Sequence, residues 1–201
     1  AVTGCPNPGA GGCNVVAAIL GNRFAVRAVF ADTTPPETTI LAGPSGMTPA
    51  AGLAFSFAAD QAGSSFECRV DDGPFQPCSS PDELTGLAEG ARTFQVRAVD
   101  PSGNTDPTPA SRSWTVDTLQ PETTITDGPA DGSATDATVA TFAFVSEPGA
   151  AFECRLGDDA FASCRSPATL SSLTLGDHRF EVRAIDAAGN ADATPASLTW
   201  H

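Results

Sequence analysis

Apolar and polar residues alternate along most of this chain in short runs, and Gly, Pro, Asn and Asp interrupt them every eight to twelve residues or so. A period of two sends successive side chains to opposite faces of a strand, so the pattern predicts an all-β chain without helices. In the first half the predicted strands are 38–41, 53–59, 65–71, 75–78, 83–87, 92–100 and 110–116, a seven-stranded plan. The alternation sets Phe55, Phe57, Phe66, Cys68, Val70, Phe94, Val96 and Ala98 on the inner face, with Glu67, Arg69, Gln95 and Arg97 on the outer one. Phe142, Phe144, Phe152, Val182 and Ala184 repeat the inward set. Each buried Phe contributes about 1.5 to 3 kcal/mol, so about five per repeat supply a core.

The same plan is written twice. Residues 66–114 and 152–200 align without a gap at an offset of 86, the size of one small β-sandwich rather than of a solenoid unit. Repeats are therefore expected at 36–117 and 118–201, introduced by DTTPPETTI (32–40) and DTLQPETTI (117–125), whose Pro and Thr favour extended backbone of short reach. Residues 1–35 are left over as a partial domain or hairpin segment. Within them NVVAAIL-GN-RFAVRAVF (14–30) reads as a hairpin turning at Gly21 and Asn22. A lone hairpin is marginal in water, so this one needs partners from a truncated domain, the next repeat or another chain.

Six cysteines fall in close pairs, Cys5 with Cys13, Cys68 with Cys78 and Cys154 with Cys164, which predicts disulfides and an oxidising compartment. Cys68 and Cys78 flank a turn centred on Gly73, and Cys154 and Cys164 one centred on Asp159, so each pair is expected directly opposite across a hairpin. The net charge is -14, carried by the repeats: residues 37–117 hold eleven acids against four Arg, and 118–201 twelve against four. Such a surface repels phosphate backbones and anionic membranes, which argues against nucleic acid and membrane insertion. There is no Lys and no Tyr, so Schiff-base chemistry, phenolic acids and Lys–Asn crosslinks are excluded.

The wording FECRxDxxxFxxC, SPxxLxxL, GxxxFxVRAxDxxGNxDxTPA and W, closed by DTxxPETTI, resembles the bacterial immunoglobulin-like repeats of long secreted and cell-surface proteins. The resemblance spans about Pro36 to Trp200 and implies tandem immunoglobulin-like sandwiches with structural or adhesive roles. The stretch LxxLxxGxxxFxVRAxDxxGN is also similar to fibronectin type III domains, with Phe94 and Phe180 where that family places its corner Tyr; without a hydroxyl the corner hydrogen bond is lost.

Candidate chemistry centres on Asp100, Asn104 and Asp106 and their repeats Asp186, Asn190 and Asp192, in the loop before the last strand. Hard oxygen ligands at this spacing suit Ca2+, and the linker acids Asp32 and Asp117 would complete an interdomain site. The competing reading makes DxxGN a turn, with Gly supplying positive φ. No cofactor is required; calcium is the one candidate. Trp114 and Trp200 could form a sugar-stacking platform or pack in the core, and their identical repeat positions favour packing. Glu67, Arg69, Gln95 and Arg97 read as an exposed cross-strand charge cluster. His178 and His201 are the only histidines, no nucleophile is paired with a base, and Asp71 with Asp72 sits on a turn, so no catalytic residue is expected.

The sequence thus points to a non-catalytic spacer or stalk of a secreted or cell-surface protein, with neighbouring repeats as partners and a surface glycan or protein as a further ligand. Two alternatives stand beside it. One is an extracellular filament self-associating through the N-terminal hairpin. The other is a carbohydrate-binding module.

Overall fold

The computed structural model describes residues 14–17, 26–29 and 32–201, and every helix or strand among them is a strand. Strands β1 (Asn14–Ala17) and β2 (Val26–Val29) pair antiparallel as a two-stranded sheet, Asn14 opposite Val29 and Ala17 opposite Val26. The expected turn at Gly21 and Asn22, and the pair Cys5 and Cys13, lie outside the described residues.

The chain divides into two compact units, one made mainly of residues up to Trp114 and the other mainly of residues from Thr115 on. In the first half the strands are β3 (Thr38–Ala42), β4 (Gly46–Thr48), β5 (Leu53–Ala59), β6 (Ser65–Val70), β7 (Gln76–Cys78), β8 (Asp82–Leu84), β9 (Gly90–Val99) and β10 (Ala110–Val116). They form a three-stranded sheet, β3-β5-β8, and a five-stranded one, β4-β10-β9-β6-β7. The second half has β11 (Thr124–Asp127), β12 (Val139–Val145), β13 (Ala151–Leu156), β14 (Ala162–Cys164), β15 (Ala168–Ser171), β16 (His178–Ile185) and β17 (Ala196–Trp200). Its sheets run β11-β12-β15 and β14-β13-β16-β17. A short strand, β7 or β14, pairs with the strand before it, so Cys68 with Cys78 and Cys154 with Cys164 each lie within a sheet rather than between sheets.

Strand β4 is absent from the expected set. Met47 is 46% exposed and no alternation marks the segment; the strand exists through its backbone pairing to β10. The chain reaches it after a bulge between Ile40 and Ala42, matched by one between Ile125 and Asp127. Gly43 lies just beyond the first bulge, where a Cβ would fall 2.4 Å from Phe55 Cδ1, so the backbone passes against the core ring only because this residue has no side chain.

The core is the inward face that the alternation marks. Phe55 stacks on Phe94 with centroids 4.2 Å apart, and Phe142 on Phe180 at 4.0 Å, all four fully buried. Phe66 and Phe152 meet Phe57 and Phe144 edge-on at 5.0 and 4.9 Å. Trp114 and Trp200 close the same clusters, 5.1 Å from Phe55 and 5.2 Å from Phe142, and are 3% and 1% exposed. Neither indole offers a face on which a sugar could stack, and both pack in the core as their repeat positions favour. Trp114 Nε1 is buried without a hydrogen-bond partner.

Both disulfides, Cys68–Cys78 and Cys154–Cys164, are formed, each with Cα atoms 5.8 Å apart. Their register differs from expectation. Cys78 lies opposite Phe66 and Cys68 opposite Gln76; in the second copy Cys164 faces Phe152 and Cys154 faces Ala162. The hairpins therefore centre on Asp72 and Asp158, and the cysteines are diagonal rather than direct neighbours. The one-residue difference comes from the residue just after β6 or β13, which is left-handed in both copies: Gly157 has a φ of 57°, and Asp71 one of 54°. The Asp71 N–H donates to Thr93 O at 2.7 Å, its Oδ1 accepts from Thr93 N and its Oδ2 from Arg92 Nη1, both at 2.9 Å. These bonds fix the start of the turn ahead of Gly73.

Candidate functional site: the clamp between linker and loop

Each PETTI segment is bolted to the loop between the last two long strands of its own sandwich. In the first copy Thr38 N donates to Asp106 Oδ2 at 3.0 Å, and Thr38 Oγ1 accepts from Ala98 N at 2.8 Å. Asp106 Oδ1 holds its own loop, accepting from Thr108 N at 2.8 Å and Thr108 Oγ1 at 3.0 Å. Thr38 is 5% and Asp106 1% exposed. A buried carboxylate is tolerated here because N–H and O–H groups meet both its oxygens. The second copy repeats the set: Thr123 N to Asp192 Oδ2 at 2.9 Å, Ala184 N to Thr123 Oγ1 at 2.8 Å, and Thr194 N and Oγ1 to Asp192 Oδ1 at 2.8 and 3.1 Å.

The second half of the clamp is the DxxGN turn. Asp100 Oδ1 accepts from Ser102 N and Asn104 N, both at 2.8 Å, and its Oδ2 from Asn104 Nδ2 at 2.7 Å. The same amide donates to Asp32 O at 2.9 Å, tying the linker entry to the turn. Asn190 Nδ2 bridges Asp186 Oδ2 at 2.7 Å and Asp117 O at 2.8 Å. Gly103 and Gly189 have φ values of 90° and 96°, the region that the turn requires and glycine supplies.

The eight residues singled out in the sequence are thus brought together, four in each copy, in a different role. Asp32 and Asp117 contribute main-chain carbonyls, while their carboxylates accept from Thr34 N at 3.0 Å and Leu119 N at 3.3 Å. The loop acids bind N–H groups. Among the described residues no three His, Cys, Asp or Glu side chains converge so as to hold a metal ion, and this donor-filled arrangement does not fit a calcium cage. Sequence reasoning passed over Thr38 and Thr123; the signal was their identical place in the two PETTI segments.

Burial works to raise the pKa of Asp106 and Asp192, but the hydrogen bonds from Thr38 and Thr108, and from Thr123 and Thr194, outweigh it and hold both carboxyls below their ordinary value. For Asp100 and Asp186 burial also acts upward, and the bonds from Asn104 and Asn190 with neighbouring N–H groups bring both down.

A brace lies on the outer face of the larger sheet. The guanidinium groups of Arg69 and Arg97 sit over the ring of Phe75, 4.5 and 4.1 Å from its centroid. Arg69 Nε donates to Gln95 Oε1 at 2.6 Å, and Arg97 pairs with Glu67 at 2.7 Å. In the second copy Arg155 and Arg183 sit over Phe161 at 4.5 and 4.3 Å; Arg183 pairs with Glu153 at 2.7 Å, and buried Glu181 receives Arg155 and Arg179, both at 2.5 Å. The expected charge cluster is therefore built around an aromatic ring. His178 Nε2 lies 2.8 Å from Thr174 O, and His201 Nδ1 2.5 Å from Asp177 Oδ1, with no nucleophile bonded to either.

No family model matches the sequence, and no curated protein resembles it closely. Among solved structures, the FN1–FN3 domains of chicken CNTN1 match 88% of this chain over 67% of their own, at 10% identity and a TM-score of 0.51. The fibronectin(III)-like modules of Clostridium thermocellum CbhA match 82% over 93%, at 19% identity and 0.49. A 1.5-MDa bacterial ice-binding adhesin matches 83% of the chain over 65% of its own, at 11% identity and 0.42. Identities this low speak for architecture alone. With all-β sheets, a Phe and Trp core and the CNTN1 likeness together, the chain has the fold of fibronectin III-like and immunoglobulin-like β-sandwich modules.

Proposed function

We propose that this chain is a non-catalytic structural or adhesive region of an extracellular protein, with immunoglobulin-like modules over 36–117 and 118–201 that act as a semi-rigid spacer. The duplicated clamp carries this reading. A linker whose Thr is held by a buried Asp and whose main-chain carbonyl is held by a half-buried Asn leaves its module in a set direction, whereas an unheld Gly- or Ser-rich linker would swivel. The fixed course of residues 32–38 and 117–123 is what a spacer needs and a catalyst does not. Disulfides within hairpins support an oxidising compartment. Neighbouring repeats are the expected partners.

Small-angle scattering tests the reading. The wild-type chain should give one narrow length distribution, and Asp106→Ala and Asp192→Ala, compared below their melting points, should broaden it. A wild-type distribution as broad as that of the variants would remove the spacer function.

A further inference from the structure

Strand β8 has a side chain that its face does not explain. Along Asp82–Leu84 the exposed residue is Glu83, while Asp82 and Leu84 share the less exposed, inward side. An inward carboxylate in a sandwich calls for a partner. Among the described residues the Asp82 carboxylate has no hydrogen bond or ion pair, and burial alone pushes its pKa above the ordinary value. In the second copy the matching strand β15 has Ala168 there, packed with Leu170 against the core. The departure belongs to the first copy.

Asp82 opens into a slot of about 250 Å³ at the edge of the sandwich, walled by Val70, Leu84, Phe94 and the Cys68–Cys78 disulfide. The single arginine in its lining, Arg69, is engaged with Gln95 and Phe75. Walls that are apolar apart from Gln76 and the engaged Arg69, with one unpartnered anion, suit a ligand with a short hydrocarbon stem and a positive end. We propose that this slot binds an alkylammonium group of about the size of a lysine side chain, its charge against Asp82 and its carbons against Val70, Leu84 and Pro77. The chain contains no Lys, so the ammonium comes from another molecule. The second copy is a built-in control, since Ala168 removes the anion and Leu156 stands in place of Val70.

Titration of the 15N-labelled chain with n-butylammonium chloride, against KCl at equal ionic strength, tests the site. Saturable shifts are expected at Val70 and Leu84, with a Kd in roughly the millimolar range for so small a ligand, and none at Leu156 and Leu170. Asp82→Ala, which installs the residue that β15 already has, should weaken binding at least tenfold with the rest of the spectrum unchanged. A parallel titration with Nα-acetyl-lysine methylamide separates the sources: binding of both ligands identifies a protein lysine as sufficient, and binding of butylammonium alone identifies a free amine. Absence of saturation with either ligand, equal shifts in the two copies, or unchanged affinity in Asp82→Ala would overturn the site and leave Asp82 as an inward charge that protects an edge strand.

Discussion

Removing the Asp192 carboxylate should unbolt the second PETTI segment at a calculable cost. The side chain is 2% exposed and accepts from Thr123 N, Thr194 N and Thr194 Oγ1 at 2.8 to 3.1 Å. In Asp192→Ala, Thr194 is exposed and its donors can turn to water, but Thr123 is 5% exposed and its N–H is stranded. A stranded buried donor costs about 1 to 3 kcal/mol, and a lost hydrogen bond to a charged group about 1.5 to 3 kcal/mol, so the variant should lose about 3 to 5 kcal/mol. Asp192→Asn keeps the volume but turns an amide N–H towards one of the donors, and should lose about 2 to 3 kcal/mol. Thr123→Val strands Ala184 N and removes a donor to Asp192, for about 1 to 3 kcal/mol. Because the two residues share one network, the double variant should fall short of additivity by about 1 kcal/mol or more. Urea unfolding in a Trp114→Phe background, where Trp200 is the sole fluorophore, reads the second copy. A loss below about 0.5 kcal/mol for Asp192→Ala, or strict additivity with Thr123→Val, would refute the clamp.

Three further outcomes follow from the same geometry. The carboxyls of Asp100, Asp106, Asp186 and Asp192 are held below their unfolded value of about 3.9, so the unfolded chain binds more protons in that window; their stability is complete above about pH 5 and lost as pH falls through the folded values, while Asp82, pushed the other way, offsets part of the loss. Urea midpoints between pH 7 and 2 check this, and a flat profile would contradict it. Phe75→Ala or Phe161→Ala removes two cation–π contacts at about 0.5 to 1 kcal/mol each, and should destabilise by about 1 to 2 kcal/mol beyond the ring's own burial, with Phe75→Leu as the volume control. Millimolar Ca2+ added to a chelated sample should leave the melting temperature unchanged, because the loop carboxylates already accept N–H donors; a rise would mean that the loop reorganises around the ion.

The inner face of each sandwich was legible because strand alternation is a local property. Phe55, Phe94, Val96 and Ala98 needed no knowledge of their neighbours to be assigned inward, and all are fully buried. The turn register was not legible in that way. Gly73 looked like the centre because it tolerates any φ, yet the left-handed residue is Asp71, stabilised by Arg92 and Thr93 from a strand twenty residues on. The loop acids were found, and of the two readings of DxxGN the turn is the one that their hydrogen bonds match. Acidic spacing in a sequence suggests a cation, whereas in the fold the donors come from main-chain N–H groups, which are present at every position and leave no mark. Phe75 and Phe161 were missed as braces because a lone aromatic after a turn carries no periodic signal, and only the pairing of β6 with β9 brings Arg69 and Arg97 over one ring.

Backbone 15N relaxation at Thr38 and Thr123 addresses the central claim most directly. If the linker ends are bolted into their sandwiches, both amides should give order parameters of about 0.85, equal to those of core strands, and Asp192→Ala should lower Thr123 while leaving Thr38 unchanged. Order parameters below about 0.6 at these two residues in the wild-type chain would contradict the account.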